Sequence, residues 1–179
     1  VKQRMIAWWG PVLVEYWGGT ESGVITAVDS NEWLAHPESV GRALPGWEVF
    51  AVDDGGRRLP PGETGLLYAR NTRVPRMFEY HEDPTKTASS YLEPGVFTLG
   101  DIGRIDDDGF LYLTDRKANM IITGGVNVYP QEAENILTMH PKVQDVAVLG
   151  VPNEEFGEEV KAVVQPVDMS DAGADLAAE

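Results

Sequence analysis

Near the start of the chain the sequence runs Tyr16-Trp17-Gly18-Gly19-Thr20-Glu21, between two short runs of strand-forming residues. The paired glycines allow the backbone to approach a ligand closely and to offer N–H groups to an anion. The Thr20 hydroxyl can reach a phosphate oxygen, Glu21 can hold a hard cation such as Mg²⁺, and Trp17 can stack on a flat ring. Taken in isolation, the same stretch is more often a glycine turn between two strands beside a buried tryptophan. The surrounding sequence has to distinguish these two interpretations.

Strand-like runs fill the first two-thirds of the chain. They are apolar or β-branched and are separated by turn signals, of which the segments 53–56 and 106–109 are the clearest. Asp83 followed by Pro84 predicts a short capped helix that ends near Tyr91. The predicted strands are residues 12–16, 24–28, 47–52, 65–70, 97–105 and 110–114. This part of the chain is therefore predicted to be β-rich, with one or two short helices.

A different pattern begins near residue 115. Pro130 favours the first turn of a helix, and the apolar residues that follow it recur at helical spacing. The predicted strands around this helix are residues 120–123, 145–151 and 159–167. Residues 168–179 carry four acids and no base, which is typical of a frayed tail or the start of a truncated helix. We predict an α+β chain in which a β-rich part is followed by a small β-α-β unit.

The composition excludes several classes of function. The 179 residues carry 29 acidic and 14 basic side chains, a formal charge of −15, which disfavours binding to nucleic acid. The absence of cysteine excludes disulfide scaffolds and thiol catalysis, and the histidines lack metal-ligand spacing. The longest apolar run, residues 146–151, is too short to span a membrane. With no initiator Met and no secretory pattern, we expect a cytoplasmic protein and a chain taken from the middle of a longer one.

Three further features are candidates for ligand binding. Asp101 lies on an otherwise apolar stretch, where a carboxylate needs a partner such as a ribose diol, although a turn acid has the same pattern. Arg116 follows a strand, and its guanidinium can hold a ribose or carboxylate, or form an ordinary surface ion pair. Gly124 and Gly125 indicate a flexible or closely approached loop, which alone is a weak signal. The order and spacing of these features are more informative than any one of them.

Five segments, in this order, resemble the motifs of the adenylate-forming superfamily of acyl- and aryl-CoA synthetases, luciferases and peptide-synthetase adenylation domains. They are similar to its aromatic-Gly-x-Thr-Glu, Gly-Glu-x-Gly, Thr-x-Gly-Asp and Asp-Gly-(Phe/Tyr)-Leu motifs and to the motif that spans its domain hinge. The segments are residues 16–21, 62–67, 97–101, 108–111 and 115–134. Residues 116–122 are most similar to the fatty-acyl-CoA synthetase branch, and the resemblance covers nearly the whole chain.

The resemblance implies a role for each candidate residue in the first part of the chain. Trp17 would pack against adenine, where the family more often has Tyr or Phe, and Gly18 and Gly19 would belong to the same nucleotide-binding turn. Thr20 and Glu21 would act in catalysis, Thr20 by contacting the phosphate and Glu21 as a ligand of Mg²⁺. Asp101 and Arg116 would bind the ribose hydroxyls of ATP or AMP.

The resemblance also implies a division into domains. Residues 1–115 would be the C-terminal part of the large domain, a distorted barrel-like region, and residues 116–179 a truncated small domain, with the hinge near 115–118. The loop that contains Gly124 and Gly125 would line the tunnel for the pantetheine of CoA. Ala118 stands where the family has a hinge Asp or Lys, and Val126 where it often has Glu, so both positions depart from the family pattern.

The implied function is an ATP-dependent ligation of a fatty acid to CoA. The carboxylate attacks the α-phosphate of Mg-ATP, and the CoA thiol then displaces AMP. The alternatives are an aryl-acid–CoA ligase or a peptide-synthetase adenylation domain and, from another class, a non-catalytic binding or assembly module. The family's phosphate loop and its C-terminal catalytic lysine have no counterpart here. We therefore expect the chain alone to be inactive and its exposed surfaces to favour self-association.

Overall fold

The computed structural model of the protein describes residues 1–178 and consists of two compact units. The first is Val1–Thr114, and the second begins at Asp115. Strands dominate both units, which confirms the predicted α+β class. Among residues 1–178, no helix has the length and apolar character needed to cross a membrane.

The first unit is built on a nine-stranded sheet. Its strands are β1 (Val14–Gly19), β2 (Gly23–Asp29), β3 (Ser39–Ala43), β4 (Trp47–Val52), β5 (Gly65–Asn71), β6 (Tyr91–Glu93), β7 (Val96–Phe97), β8 (Asp101–Ile105) and β9 (Phe110–Arg116). Helix α1 (Lys2–Trp9) precedes the strands, and two short helices, α2 (Ser30–Ala35) and α3 (Pro84–Ser89), lie between them. The strand order is β1-β2-β3-β9-β8-β5-β7-β6, and β4 pairs with β5 outside this path. Strand β8, which begins at Asp101, is therefore interior to the sheet, whereas β1 is at its edge.

The main hydrophobic core of the first unit joins strands that are far apart in sequence. Ile25, Leu67, Phe97 and Leu111 are each almost completely buried in it, and Trp17 belongs to the same cluster. Truncating one of the large members to Ala would cost about 3–5 kcal/mol of stability, because the transfer free energy is lost and a cavity is left. The end of β1 and Leu99, which lies just before β8, therefore pack against a common core.

The second unit is a four-stranded sheet with one amphipathic helix. Its elements are a 3₁₀ helix (Lys117–Asn119), β10 (Ile121–Thr123), β11 (Val126–Val128), α4 (Pro130–Leu137), β12 (Val143–Asn153), β13 (Gly157–Pro166), a second 3₁₀ helix (Met169–Asp171) and α5 (Ala174–Ala178). The strand order is β11-β10-β13-β12. Pro130 opens α4 as predicted, and the Glu134 carboxylate accepts a hydrogen bond from the Val148 backbone N–H at 2.8 Å, tying α4 to β12.

Strand β11 was not predicted; together with the three predicted strands and the helix it makes the unit β-β-α-β-β, one strand more on each side of the helix than the β-α-β description. Gly124 and Gly125 adopt φ values of 56° and 81°, the left-handed region at both central positions of a tight hairpin turn. β10 therefore pairs with β11 antiparallel, from Ile121 opposite Val128 to Thr123 opposite Val126. The glycine pair has a structural reason to be here that does not depend on a ligand.

The prediction of a single strand over residues 97–105 was wrong. The chain forms β7, breaks, and resumes as β8, because Gly100 adopts φ 86° and its N–H is held by the Thr98 hydroxyl at 2.9 Å. Helix α2 was missed, although the Asp29 carboxylate caps it by accepting from the N–H groups of Asn31 and Glu32. With α1, the first unit has three helices within residues 1–114, against the one or two expected.

The remaining boundaries differ by a few residues. Helix α3 ends at Ser89, before the expected Tyr91, and its cap by Asp83 is confirmed. In the acidic tail, α5 agrees with the expected start of a helix, and the last residue of that predicted segment, Glu179, lies outside the described residues.

Candidate functional site

The turn between β1 and β2 carries the first group of candidate residues. A Cβ added at Gly18 would lie 2.0 Å from the Gly23 carbonyl oxygen of the facing strand, so only glycine fits there. The register of the hairpin shifts between Trp17 and Gly18, and the Gly19 N–H donates to the Ser22 hydroxyl at 3.3 Å. The turn is therefore closed by hydrogen bonds within the chain.

Trp17 and Asp101 are brought together although they are 84 residues apart. The indole Nε1–H of Trp17 donates to Asp101 Oδ2 at 2.7 Å, and the two residues are only 5% and 7% exposed. A buried carboxylate needs such a donor, because removing it from water without one is costly. The Trp17 ring lies within the main core, so the contact seen for this side chain is packing and a bond to Asp101, while stacking on adenine stays a prediction.

Thr20 and Glu21 occupy the turn that follows Gly19. Thr20 is exposed, and Glu21 is half-buried with its Oε1 accepting a hydrogen bond from the Tyr80 hydroxyl at 3.0 Å. Burial raises the pKa of Tyr80, and the bond to the negatively charged Glu21 raises it further. Tyr80 was missed in the sequence, where nothing near it in the chain signals a partner 59 residues away.

The donor chemistry of this turn suits a magnesium ion that is carried by a phosphate group. Glu21 supplies a hard carboxylate oxygen, and no group of three or more His, Cys, Asp or Glu among the described residues could hold a metal by itself. Mg²⁺ is commonly held by one or two carboxylates together with substrate phosphates and water. A single carboxylate beside a turn that is predicted to bind phosphate therefore fits the ion only together with a nucleotide.

Two family models match the chain, that of the AMP-binding enzymes over residues 1–78 and that of their C-terminal domain over residues 132–179. The chain belongs to the AMP-binding enzyme family. The matched segments leave out Tyr80, Asp101, Arg116 and the glycine pair of the second unit, which lie between them.

Curated relatives resemble almost the whole chain. It is 37% identical over 170 residues to a long-chain-fatty-acid–CoA ligase of Escherichia coli O6:H1. This alignment covers 95% of the chain and 30% of that enzyme. It is 39% identical over 160 residues to an indoleacetate–CoA ligase of Aromatoleum aromaticum. This alignment covers 89% of the chain and 31% of that enzyme. The chain thus spans less than a third of the length of these relatives.

A solved structure of the family shows the same fold. The chain superposes on the o-succinylbenzoate CoA synthetase of Bacillus subtilis, solved with an acyl-adenylate intermediate, with a TM-score of 0.82 and 27% sequence identity. The match covers 99% of the chain and 36% of that structure.

In this member of the AMP-binding enzyme family, the second unit carries the other candidates. Arg116 is exposed at the end of β9, whose last two residues fall in the second unit, and Gly124 and Gly125 are exposed in the β10–β11 turn. Asp115, which was not singled out in the sequence, accepts hydrogen bonds from the backbone N–H of Arg116 at 2.6 Å and from that of Gln131 at 3.0 Å. Asp115 therefore connects the Arg116 segment to the first turn of α4, whose N–H groups need an acceptor.

Proposed function

We propose that the chain is part of an ATP-dependent acid–CoA ligase that acts on fatty acids. The observation that carries this proposal is the buried hydrogen bond between Trp17 and Asp101, which links the glycine turn of β1 to the start of β8. This bond holds the Asp101 carboxylate, which suits a ribose diol, next to Trp17. Trp17 directly precedes Gly18-Gly19-Thr20-Glu21, a segment that suits phosphate and Mg²⁺. A single nucleotide carries both a ribose diol and phosphate groups.

The roles of the residues follow from their chemistry. Asp101 accepts hydrogen bonds from the ribose hydroxyls, and the Thr20 hydroxyl donates to a phosphate oxygen. Glu21 would hold Mg²⁺, and the ion would supply positive charge that stabilises the phosphates of the bound nucleotide. Arg116 assists at the ribose, and the Gly124–Gly125 turn contributes to the path of CoA, both by analogy with the family.

The reaction has two steps. The carboxylate oxygen of the acid attacks the α-phosphorus of ATP, the bond to the bridging oxygen breaks, and pyrophosphate leaves. The CoA sulfur then attacks the acyl carbonyl, the thiol gives up its proton, and AMP leaves. We propose that residues 1–115 belong to the large domain, residues 116–179 to the small one, and that rotation near 115–118 separates the two steps.

The identity of the acid is supported by the relatives. The fatty-acid ligase from Escherichia coli favours a fatty acid. The similar identity to the indoleacetate–CoA ligase favours an aryl acid as the second candidate. We also propose that the chain acts in the cytoplasm, where ATP and CoA are available, and that by itself it is inactive and self-associates.

Acid-dependent exchange between ATP and labelled pyrophosphate tests the proposal. It is to be measured on the complete gene product that contains the chain, with the chain alone beside it and with fatty and aryl acids as substrates. We expect exchange with fatty acids from the complete protein only. Exchange with aryl acids alone would favour an aryl-acid–CoA ligase. No exchange with any acid from a folded complete protein would exclude the ligase and favour a non-catalytic binding module.

A further inference from the structure

Tyr80 connects the candidate metal ligand to a separate part of the first unit. Its hydroxyl donates to Glu21 Oε1 at 3.0 Å, and both side chains are half-buried. A glutamate on a turn has several accessible rotamers, and ordering it on binding costs free energy. The hydroxyl of Tyr80 holds one carboxylate oxygen in place before a ligand arrives.

Tyr80 is itself fixed by helix α3. Its backbone N–H donates to the buried Thr87 hydroxyl at 2.9 Å, and the Lys86 ammonium lies 3.9 Å from the centre of its ring. Phe78 packs edge-on against the same ring at 5.3 Å between centroids. The Asp83 carboxylate caps α3. The position of Glu21 is thus set by a chain of contacts that starts from a capped helix.

We propose that Tyr80 is a positioning residue that orients Glu21 for the Mg²⁺ of a bound Mg-nucleotide. Mg²⁺ requires near-octahedral geometry with oxygens at about 2.0–2.1 Å, so a carboxylate held in one orientation binds it better than a mobile one. The inference rests on the proposed function, because Glu21 has this task only if the chain binds ATP.

The test compares Tyr80→Phe with Tyr91→Phe in the complete gene product. Tyr91 is a matched control, since its hydroxyl is also half-buried but bonds the backbone of Phe78, donating to its carbonyl at 2.9 Å. Mn²⁺ is titrated in the presence of ATP and followed by electron paramagnetic resonance. We expect Tyr80→Phe to weaken Mn²⁺ binding roughly tenfold, the effect of one hydrogen bond to a charged acceptor, and Tyr91→Phe to leave it unchanged.

Two further measurements separate positioning from a merely structural role. In the exchange reaction, Tyr80→Phe should raise the Mg²⁺ concentration for half-maximal rate about tenfold while the KM for the acid stays the same. In a Glu21→Gln background, Tyr80→Phe should cause no further loss of Mn²⁺ binding, because both changes remove the same interaction.

The outcomes distinguish the two levels of the proposal. If the unsubstituted protein binds Mn²⁺ with ATP and Tyr80→Phe binds it equally well, the role of Tyr80 is overturned while the proposed function stands. Equal losses in both tyrosine variants, or additive losses with Glu21→Gln, would also overturn it in favour of a structural role. No metal-dependent ATP binding by the folded, unsubstituted protein would overturn the proposed function itself, and the inference with it.

Discussion

Both units of the molecule present a pair of adjacent glycines in a hairpin, for different physical reasons. At Gly18 an added Cβ would lie 2.0 Å from a backbone oxygen of the neighbouring strand, so glycine is required there because there is no room for a side chain. Gly125 has no atom within 4 Å of an added Cβ, but its φ of 81° makes glycine a conformational requirement. The same dipeptide thus ends a packed strand in the first unit and forms an exposed turn in the second.

Substituting alanine in both turns should reveal this difference most strongly. Gly18→Ala should destabilise the first unit by about 3 kcal/mol or more, since a backbone clash cannot be relieved by a side-chain rotation. Gly125→Ala should cost only about 1 kcal/mol, the penalty of a left-handed conformation for a residue with Cβ. Native-state amide exchange in β2 and β10 measures both effects, and equal costs would contradict the comparison.

The bond between Trp17 and Asp101 should make the largest contribution among the polar contacts of the first turn. Trp17→Phe keeps an aromatic side chain but removes the donor to a buried carboxylate, which should cost about 2 kcal/mol. Trp33 is the control, because its buried indole nitrogen has no hydrogen-bond partner among the described residues. Urea unfolding should show a smaller loss of unfolding free energy for Trp33→Phe than for Trp17→Phe. A similar loss in both variants would contradict a stabilising contribution from the Trp17–Asp101 bond.

The second unit should depend on Asp115 more than on its glycines. Asp115→Ala removes the acceptor for the Arg116 and Gln131 N–H groups and should cost about 1–2 kcal/mol. Amide exchange at Gln131 should accelerate while that of β5 stays unchanged. Acceleration in both places would show that the two units do not unfold independently.

The smallest expected effect is on the pH dependence of the stability of the first unit. The hydrogen bond and charge of Arg58 lower the pKa of Glu48 from its ordinary value of 4.5. The ionised carboxylate therefore stabilises the fold above pH 4.5, and this contribution is lost as the pH falls through the lowered pKa. Because the Glu48 side chain is 39% exposed and the ion pair is screened by water, we expect only a few tenths of a kcal/mol. Glu48→Gln should flatten the acid limb of the stability curve slightly, and an unchanged slope would refute the contribution.

Local signals in the sequence predicted most of the elements but not their pairing. The strand at Trp47–Val52, the cap at Asp83 and the helix that starts at Pro130 follow from short-range chemistry and are confirmed. The break at Gly100 and the strand after Gly125 were missed, because both depend on glycine in the left-handed conformation, which a sequence permits without requiring.

The candidate site shows the same division. The sequence by itself determined the family and located the glycine turn, and it predicted roles for Thr20, Glu21 and Asp101, since these inferences depend on residue type and order. Only the tertiary structure placed the Trp17 indole on Asp101 and the Tyr80 hydroxyl on Glu21. Such contacts join positions 84 and 59 residues apart, and their partners are selected by strand pairing and core packing, which no local pattern encodes.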